Sequence, residues 1–401
     1  EHDLYFADGG SPRPDLQFQL EGEDVPKANR YMAGLFGSED DLENHYRDNT
    51  LEDVRGVSSP EELEKWFRET GATMKAGDRL VLYVTAHGGR SGDKKRPHNT
   101  KIYMWNLKSV DAGKLSSLIA GLPEGVSVVT VMVQCYSGGF SHLIFDEHDE
   151  GKGARERSVC GFFATVHNRE AAGCTPDVNE ENYDEYSSHF WAALRGRTRM
   201  DQDLTVADYD GDGRISFEEA HAHAVLASRN IDIPVKTSDA FLRKYSSLEG
   251  KNLLNLDVPY SDLLALARPA EFGLLDALSA QLELDGEDRG KRMREKAAEL
   301  GKQVKEMETR LKEQKKKLDG VRREVARAVR NRWPQLTNTY SPDAVALQSE
   351  EELRAAFVKE VEAHPRFTEW RTLVEERRKM EDEELELGKV YATHRRFVTV
   401  L

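Results

Sequence analysis

Two uninterrupted apolar runs constrain this chain more than anything else in it: Arg79–Thr85 (RLVLYVT) and Val126–Gln134 (VSVVTVMVQ). A strand with one wet face alternates polar and apolar residues. A run that is apolar at nearly every position predicts a strand covered on both faces, as in parallel sheets. Ser158–Val166 (SVCGFFATV) is a third such run. Shorter strands are expected at His2–Ala7 and Lys101–Trp105, and residues 11–58 read as polar and irregular. Between the strands lie helical patterns. Ser59-Pro60-Glu61-Glu62 supplies a capping serine, proline at the first helical position and acids in the first turn, and this helix stops near Gly71. Asp111–Ala120 and Tyr183–Arg195 are further helices. Alternation of this kind implies an α/β domain over residues 1–250, a mostly parallel sheet with helices on both faces. In such sheets the working residues sit just past the carboxyl ends of the strands.

The C-terminal part is built differently. Residues 251–284 read as connecting helices, and residues 285–401 as a helical arm. From Met293, apolar residues recur at Ala297, Leu300, Val304, Met307, Leu311, Leu318, Val321 and Val325, with Gln314 at the one skipped position. That is a heptad seam. Trp333-Pro334 ends it, a shorter helix spans Ser349–Ala363, and a second long helix spans Thr368–Val398. The two long helices suggest an antiparallel coiled-coil hairpin. A chain of 401 residues that is 32% charged and 38% hydrophobic fits a folded domain joined to exposed helices. Its net charge of −15 argues against nucleic acid or an anionic membrane surface as the main partner. No apolar stretch approaches the ~20 residues of a membrane-spanning helix. Cys135, Cys160 and Cys174 are too few for a disulfide framework. Cys160 and Cys174 read as packing residues, with a bridge between them the alternative. The chain begins at Glu1 rather than Met, so an upstream segment is expected to have been removed, and no signal peptide is visible.

Two of the buried strands run into reactive side chains. The first leads to His87-Gly88-Gly89, the second to Cys135-Tyr136-Ser137-Gly138-Gly139, 135 − 87 = 48 residues later. If these strands are neighbours, imidazole and thiol face one crevice. A free thiol ionises near pH ~8.5 and is mostly protonated at neutral pH, so it needs a base. His87 supplies one. The oxyanion formed on attack at a carbonyl needs closely approaching N–H donors, and Gly88 with the Cys135 amide is the natural pair. Ser137-Gly138-Gly139 turns the chain off the strand into a helix whose N-terminal end favours an anion.

The segments LVLYVTAHGG and VVTVMVQCYSGGF resemble the caspase-like superfamily of cysteine peptidases, closest to its legumain and metacaspase branches. The resemblance covers roughly residues 2–245. It implies a caspase-like α/β fold and endopeptidase activity on a protein or peptide substrate, with His87 as general base, Cys135 as nucleophile and Gly88 as oxyanion donor. Three features depart from it. The acidic residue that lines the specificity pocket two positions before the cysteine is here Val133, so an asparagine or basic preference does not transfer. The strand and helix that normally precede HDLYFADG are absent from this sequence. The family does not predict the arm. His167, Arg169, Glu170 and Asp177, after the third strand, are candidate substrate-pocket residues. Loop 146–158 (DEHDEGKGARERS) is a candidate for maturation cleavage.

A separate motif runs from Asp208 to Glu219 (DYDGDGRISFEE) and fits an EF-hand calcium loop. Asp208, Asp210 and Asp212 hold positions one, three and five, and Gly213 permits the turn. Arg214 lends its carbonyl, Ser216 acts through water, and Glu219 is the bidentate ligand at position twelve. A helix follows at Phe217–Ser228. The segment before it is weakly helical, so one calcium site is expected, acting either as a static clip or as a gate. Such a loop points toward an extracytoplasmic setting. The whole reads as a calcium-binding cysteine endopeptidase whose arm recruits a partner, mediates self-association or covers the active site. The alternatives are a catalytically silent calcium-dependent scaffold and a transpeptidase or ligase using the same pair.

Overall fold

The N-terminal segment is more ordered than its polar sequence suggests. It contributes β1 (Leu4–Tyr5), β2 (Leu16–Gln19), α1 (Lys27–Phe36), β3 (Asn44–Arg47) and β4 (Val54–Gly56), followed by α2 (Pro60–Glu69). β1 pairs with β4, and β2 with β3, as ribbons outside the main sheet. The expectation of irregular chain over 11–58 is therefore corrected, and HDLYFA shrinks to a two-residue strand. α1 escapes a local reading because its partners are remote. Tyr31 donates to Glu362, 331 residues away, and with Leu35 it packs against Trp370 and Val325. The structure, a computed structural model, describes residues 2–19, 25–173, 178–246, 258–338 and 341–401.

The α/β unit continues with β5 (Arg79–Val84), β6 (Gly88–Gly89), β7 (Lys101–Tyr103), β8 (Ser109–Asp111), α3 (Ala112–Ala120), β9 (Ser127–Met132) and β10 (Val159–Phe163). It closes with α4 (Tyr186–Arg195), α5 (Phe217–Ala227), β11 (Val235–Lys236) and α6 (Thr237–Ser246). The main sheet has the order β11-β10-β9-β5. β5, β9 and β10 are parallel and β11 is antiparallel. Successive residues of a strand point to opposite faces, and β9 illustrates this. Val128 and Met132 pack with Phe67, Leu115 and Ile119 on one side. Val129 and Val131 pack with Tyr186, Phe190 and Ala220 on the other. Helices therefore cover both faces, as expected. β5 departs from the expectation because it is the edge of this sheet. Its inner residue Leu80 is buried, but Val81 and Tyr83 remain 45% and 41% exposed, with Trp191 edge-on to Tyr83.

The helical region comprises α7 (Tyr260–Leu264), α8 (Pro269–Gln281), α9 (Arg289–Arg332), α10 (Pro342–Ser349), α11 (Glu351–Glu362) and α12 (Phe367–Val400). α9 and α12 run antiparallel. Gly301 lies against Tyr391, Gln314 reaches Glu376 at 2.9 Å, and Arg366 pairs with Glu324 at 2.5 Å. Seven of the nine seam positions are buried, and Met307 and Leu311 are half-buried. Both ends of the hairpin are anchored. At its loop end, α1 and α11 pack on α9 and α12 around Trp370 and Phe357. At its open end, Phe397 packs with Val225 of α5 and Leu274 of α8. Among the described residues, no helix is long and apolar enough to cross a membrane.

Candidate functional site

The register of β5 on β9 sets the relative position of the segments that carry His87 and Cys135. Arg79 pairs with Ser127, and the pairing continues unbroken to Val84 with Met132, a constant offset of 127 − 79 = 48. The ladder extends one step further through the Val133 amide, which donates to the Val84 carbonyl at 3.0 Å. His87 and Cys135 lie just beyond the end of this ladder, with the same spacing of 48 residues between them. The next residue confirms the proximity: a Cβ on Gly88 would stand 2.8 Å from the Cys135 carbonyl carbon and 2.9 Å from Gln134 Cγ. Gly88 is therefore required by close approach to the cysteine backbone. His87 is exposed and Cys135 half-buried, so the pair sits at the sheet's carboxyl edge, open to solvent.

Cys135 is held by a sharp turn. Tyr136 adopts left-handed φ of +60°, a conformation that costs energy for a non-glycine residue and persists only where its surroundings impose it. Here three contacts impose it. The Tyr136 amide donates to the Arg169 carbonyl at 2.9 Å, its hydroxyl donates to Glu170 at 2.9 Å, and the Arg90 guanidinium covers its ring at 5.1 Å. The chain then enters Ser137–Ile144, a buried 3-10 segment rather than the expected α-helix. Gly138 lets it pass, since a Cβ there would sit 2.5 Å from the Thr165 carbonyl. The amide of Ala171 donates to Cys135 Sγ at 3.4 Å, and the thiol faces the Ala171 carbonyl at 3.9 Å.

The expected pocket residues take separate places. Arg169 lies over the ring of Tyr391 on α12 at 5.1 Å, and Glu170 is held by Tyr136. Asp177 lies outside the described residues. His167 joins a group of imidazoles that no local pattern announced. The His98 ring lies 3.7 Å from that of His142, nearly parallel, and 4.1 Å from that of His167. His148 flanks His142 and donates to the Gly139 carbonyl at 3.0 Å. His98, His142 and His167 line a cavity of about 190 Å³ with Gly138, Ser141 and Arg243. Burial, reinforced by the neighbouring imidazoles, pushes His98 down to about 3 and His142 to about 2. Burial also lowers His148 and His167. At neutral pH the stack is uncharged and pins the turn after Cys135. Cys160 is exposed and carries a free thiol, so it departs from the expected packing role, and the alternative of a bridge does not apply to it. Cys174 lies outside the described residues.

Asp208, Asp210 and Asp212 each bring one carboxylate oxygen within 4.8 Å of the others. Gly211 and Gly213 have φ of +72° and +79°, which only glycine adopts cheaply. Ser216 caps α5 reciprocally with Glu219, whose carboxylate accepts from the Tyr209 amide at 2.6 Å and the Ser216 amide at 2.8 Å. Desolvation works to raise the Glu219 carboxyl, but those amides hold it below the usual range. The three gathered carboxylates belong to the kind of oxygen donor a hard cation takes, while Glu219, the expected ligand at position twelve, is not among them and is held by the Tyr209 and Ser216 amides. Arg214 is exposed, so its side chain stays out of the ring.

No protein-family model matches the chain, and no curated protein matches it in sequence. Among solved structures it is weakly similar to protein GSU0716 of Geobacter sulfurreducens, at 12% identity and a TM-score of 0.26, over 41% of this chain and 68% of that one.

Proposed function

We propose that this protein is a calcium-binding cysteine endopeptidase. His87 takes the Cys135 proton, and the thiolate attacks a peptide carbonyl. The tetrahedral oxyanion is met by the amides of Gly88 and Cys135. As it collapses, His87 gives the proton to the departing amine, leaving an acyl-thioester. Water, deprotonated by His87, then resolves the thioester and regenerates the thiol. The observation that supports this reading is the constant 48-residue register of β5 on β9, the same spacing that separates His87 from Cys135. The Ala171 amide supports it by placing a donor 3.4 Å from the sulfur.

Asp208, Asp210, Asp212, the Arg214 carbonyl, Ser216 through water, and Glu219 would hold one calcium ion. Its role is a static clip. Tyr209 within the loop packs directly over Gly273 of α8, and Glu219 begins the helix that leads toward the cysteine's support. A peptide-library cleavage profile with and without calcium tests the proposal. The expected result is cleavage that Cys135→Ala abolishes. No cleavage in either condition, with no labelling by a peptidyl electrophile, would instead favour the silent scaffold. Transfer of the acyl group to an added amine rather than to water would mark the enzyme as a transpeptidase.

A further inference from the structure

Among the described residues Arg396 is the largest buried charged side chain, 1% exposed, and it comes from the arm. Its guanidinium donates to three carbonyls in one short stretch: Ser228 at 2.6 Å, Asn230 at 2.8 Å and Asp232 at 2.8 Å. A fourth bond reaches Asn230 Oδ1 at 3.1 Å. These carbonyls follow the end of α5, which no longer has helical partners for them. A heptad seam needs no such residue, and an arm that merely rested on the α/β unit would not bury a charge in it.

The stretch that Arg396 grips is tied to Asp184 through the Arg229 amide and the Asn230 side chain, and to the cysteine's support through Asp232. Asp232 is fully buried, and its Oδ1 accepts from the Ala172 amide at 2.7 Å. The preceding amide, that of Ala171, donates to Cys135 Sγ at 3.4 Å. Two residues earlier, the Arg169 carbonyl accepts the Tyr136 amide. The segment 169–172 is thus pinned to the cysteine turn at one end and to Asp232 at the other. Tyr391 on the arm presses on the same segment through Arg169.

Resting on the cysteine-peptidase reading, we propose that Asp232 is a positioning residue for the nucleophile and that Arg396, one helix away on the arm, holds it there. Asp232 fixes the 171–172 peptide, whose Ala171 carbonyl lies 3.9 Å from the sulfur, and so holds in place the residue whose own N–H donates to it, and Arg396 fixes the backbone that carries Asp232. The arm is then a structural part of the catalytic unit. The groups facing Asp232 agree with this. Burial raises its carboxyl to about 7, against the pull of the Ala172 amide and Arg396, so its charge beside the thiolate is partly relieved. Arg396 is lowered by burial to about 10 and stays cationic at neutral pH.

The test compares Asp232→Ala, Asp232→Asn and Arg396→Lys in the full chain, each assayed well below its own melting temperature. Asparagine keeps an acceptor for the Ala172 amide, and lysine keeps the charge but cannot reach all three carbonyls. A displacement of the thiol's support by about 1 Å is worth about 100-fold. Asp232→Ala is therefore expected to lose about that factor in kcat with KM unchanged, Asp232→Asn to recover most of it, and Arg396→Lys to lose an intermediate factor. If Asp232→Ala does not fold, Arg396→Lys carries the comparison alone. A folded Asp232→Ala or Arg396→Lys variant with wild-type kcat, or a loss confined to KM, overturns the proposal. If the wild-type protein cleaves no peptide, the peptidase reading has failed, not this one. The alkylation rate of Cys135 by iodoacetamide then becomes the readout: the same ordering of variants supports the positioning role, and equal rates overturn it.

Discussion

Gly88→Ala is the sharpest perturbation the site offers. The new methyl carbon would lie 2.8 Å from the Cys135 carbonyl carbon and closer still to its oxygen. Carbon pairs rest at about 3.5–4.0 Å, so one backbone must retreat from the other by roughly 1 Å. Neither can do so easily. Gly88 is paired to Ile102 through β6 and β7, and the turn after Cys135 is pinned by Tyr136. Overpacking of this kind costs about 1–3 kcal/mol of stability, which a domain of this size tolerates. The same 1 Å separates base from nucleophile and opens the oxyanion site, worth about 100-fold or more in rate. The assay is kcat on a peptide selected from the library, beside a melting curve. Gly92→Ala is the control, because no atom lies within 4 Å of a Cβ there, and it should be silent in both. Gly88→Ala with kcat within about two-fold of wild type would refute the geometry drawn here.

Four further outcomes are expected. The buried imidazoles make the protein acid-sensitive. Their folded pKa values are depressed below the unfolded 6.5, so their contribution is fully present above that value and drains away as pH falls toward the folded values of about 3 and 2. At pH 5, His142 alone accounts for a loss of about 2 kcal/mol. Melting temperature followed from pH 7.5 to 5 should fall less steeply in His142→Phe than in wild type, and identical slopes would count against a neutral stack. Trp370→Ala empties the centre of the cluster where α1 meets the arm and should cost about 3–5 kcal/mol, measured by chemical denaturation; a cost below about 1 kcal/mol would mean that α1 is not packed there. Removing calcium from a static clip should lower the melting temperature, by an amount equivalent to about 2.7 kcal/mol if the ion was present at a hundred times its Kd. Activity lost at an unchanged melting temperature would make the ion a gate instead. Asp208→Asn should raise the calcium concentration at which the shift is half complete.

Much of this was readable because the physics involved is local. An unbroken apolar run marks a strand, a serine before Pro60 states where a helix begins, and a heptad states that two helices share a seam. The Asp208–Glu219 spacing is a local motif of the same kind. His87 and Cys135 could be singled out for a related reason: each follows a strand at a matching distance, and those two strands are parallel neighbours. What sequence could not reveal depends on contacts between distant residues. α1 is short and is buried only by the far end of the arm. Val81 and Tyr83 look like core residues, but β5 lies at the sheet edge, and no local pattern says which strand is outermost. His98, His142, His148 and His167 are scattered and become a cluster only after folding. Arg396 is one arginine among many on a charged helix. Its burial follows from where α12 ends, against the carbonyls after α5, and nothing near it in sequence signals that.

The account rests on a thiol activated by the imidazole beside it. Mass-spectrometric mapping of a peptidyl electrophile, reacted with wild-type protein and with His87→Ala, tests this most directly. The adduct should fall on Cys135, and its formation should slow by about 100-fold or more when the base is removed. An adduct on the exposed Cys160, or equal rates with and without His87, would contradict it.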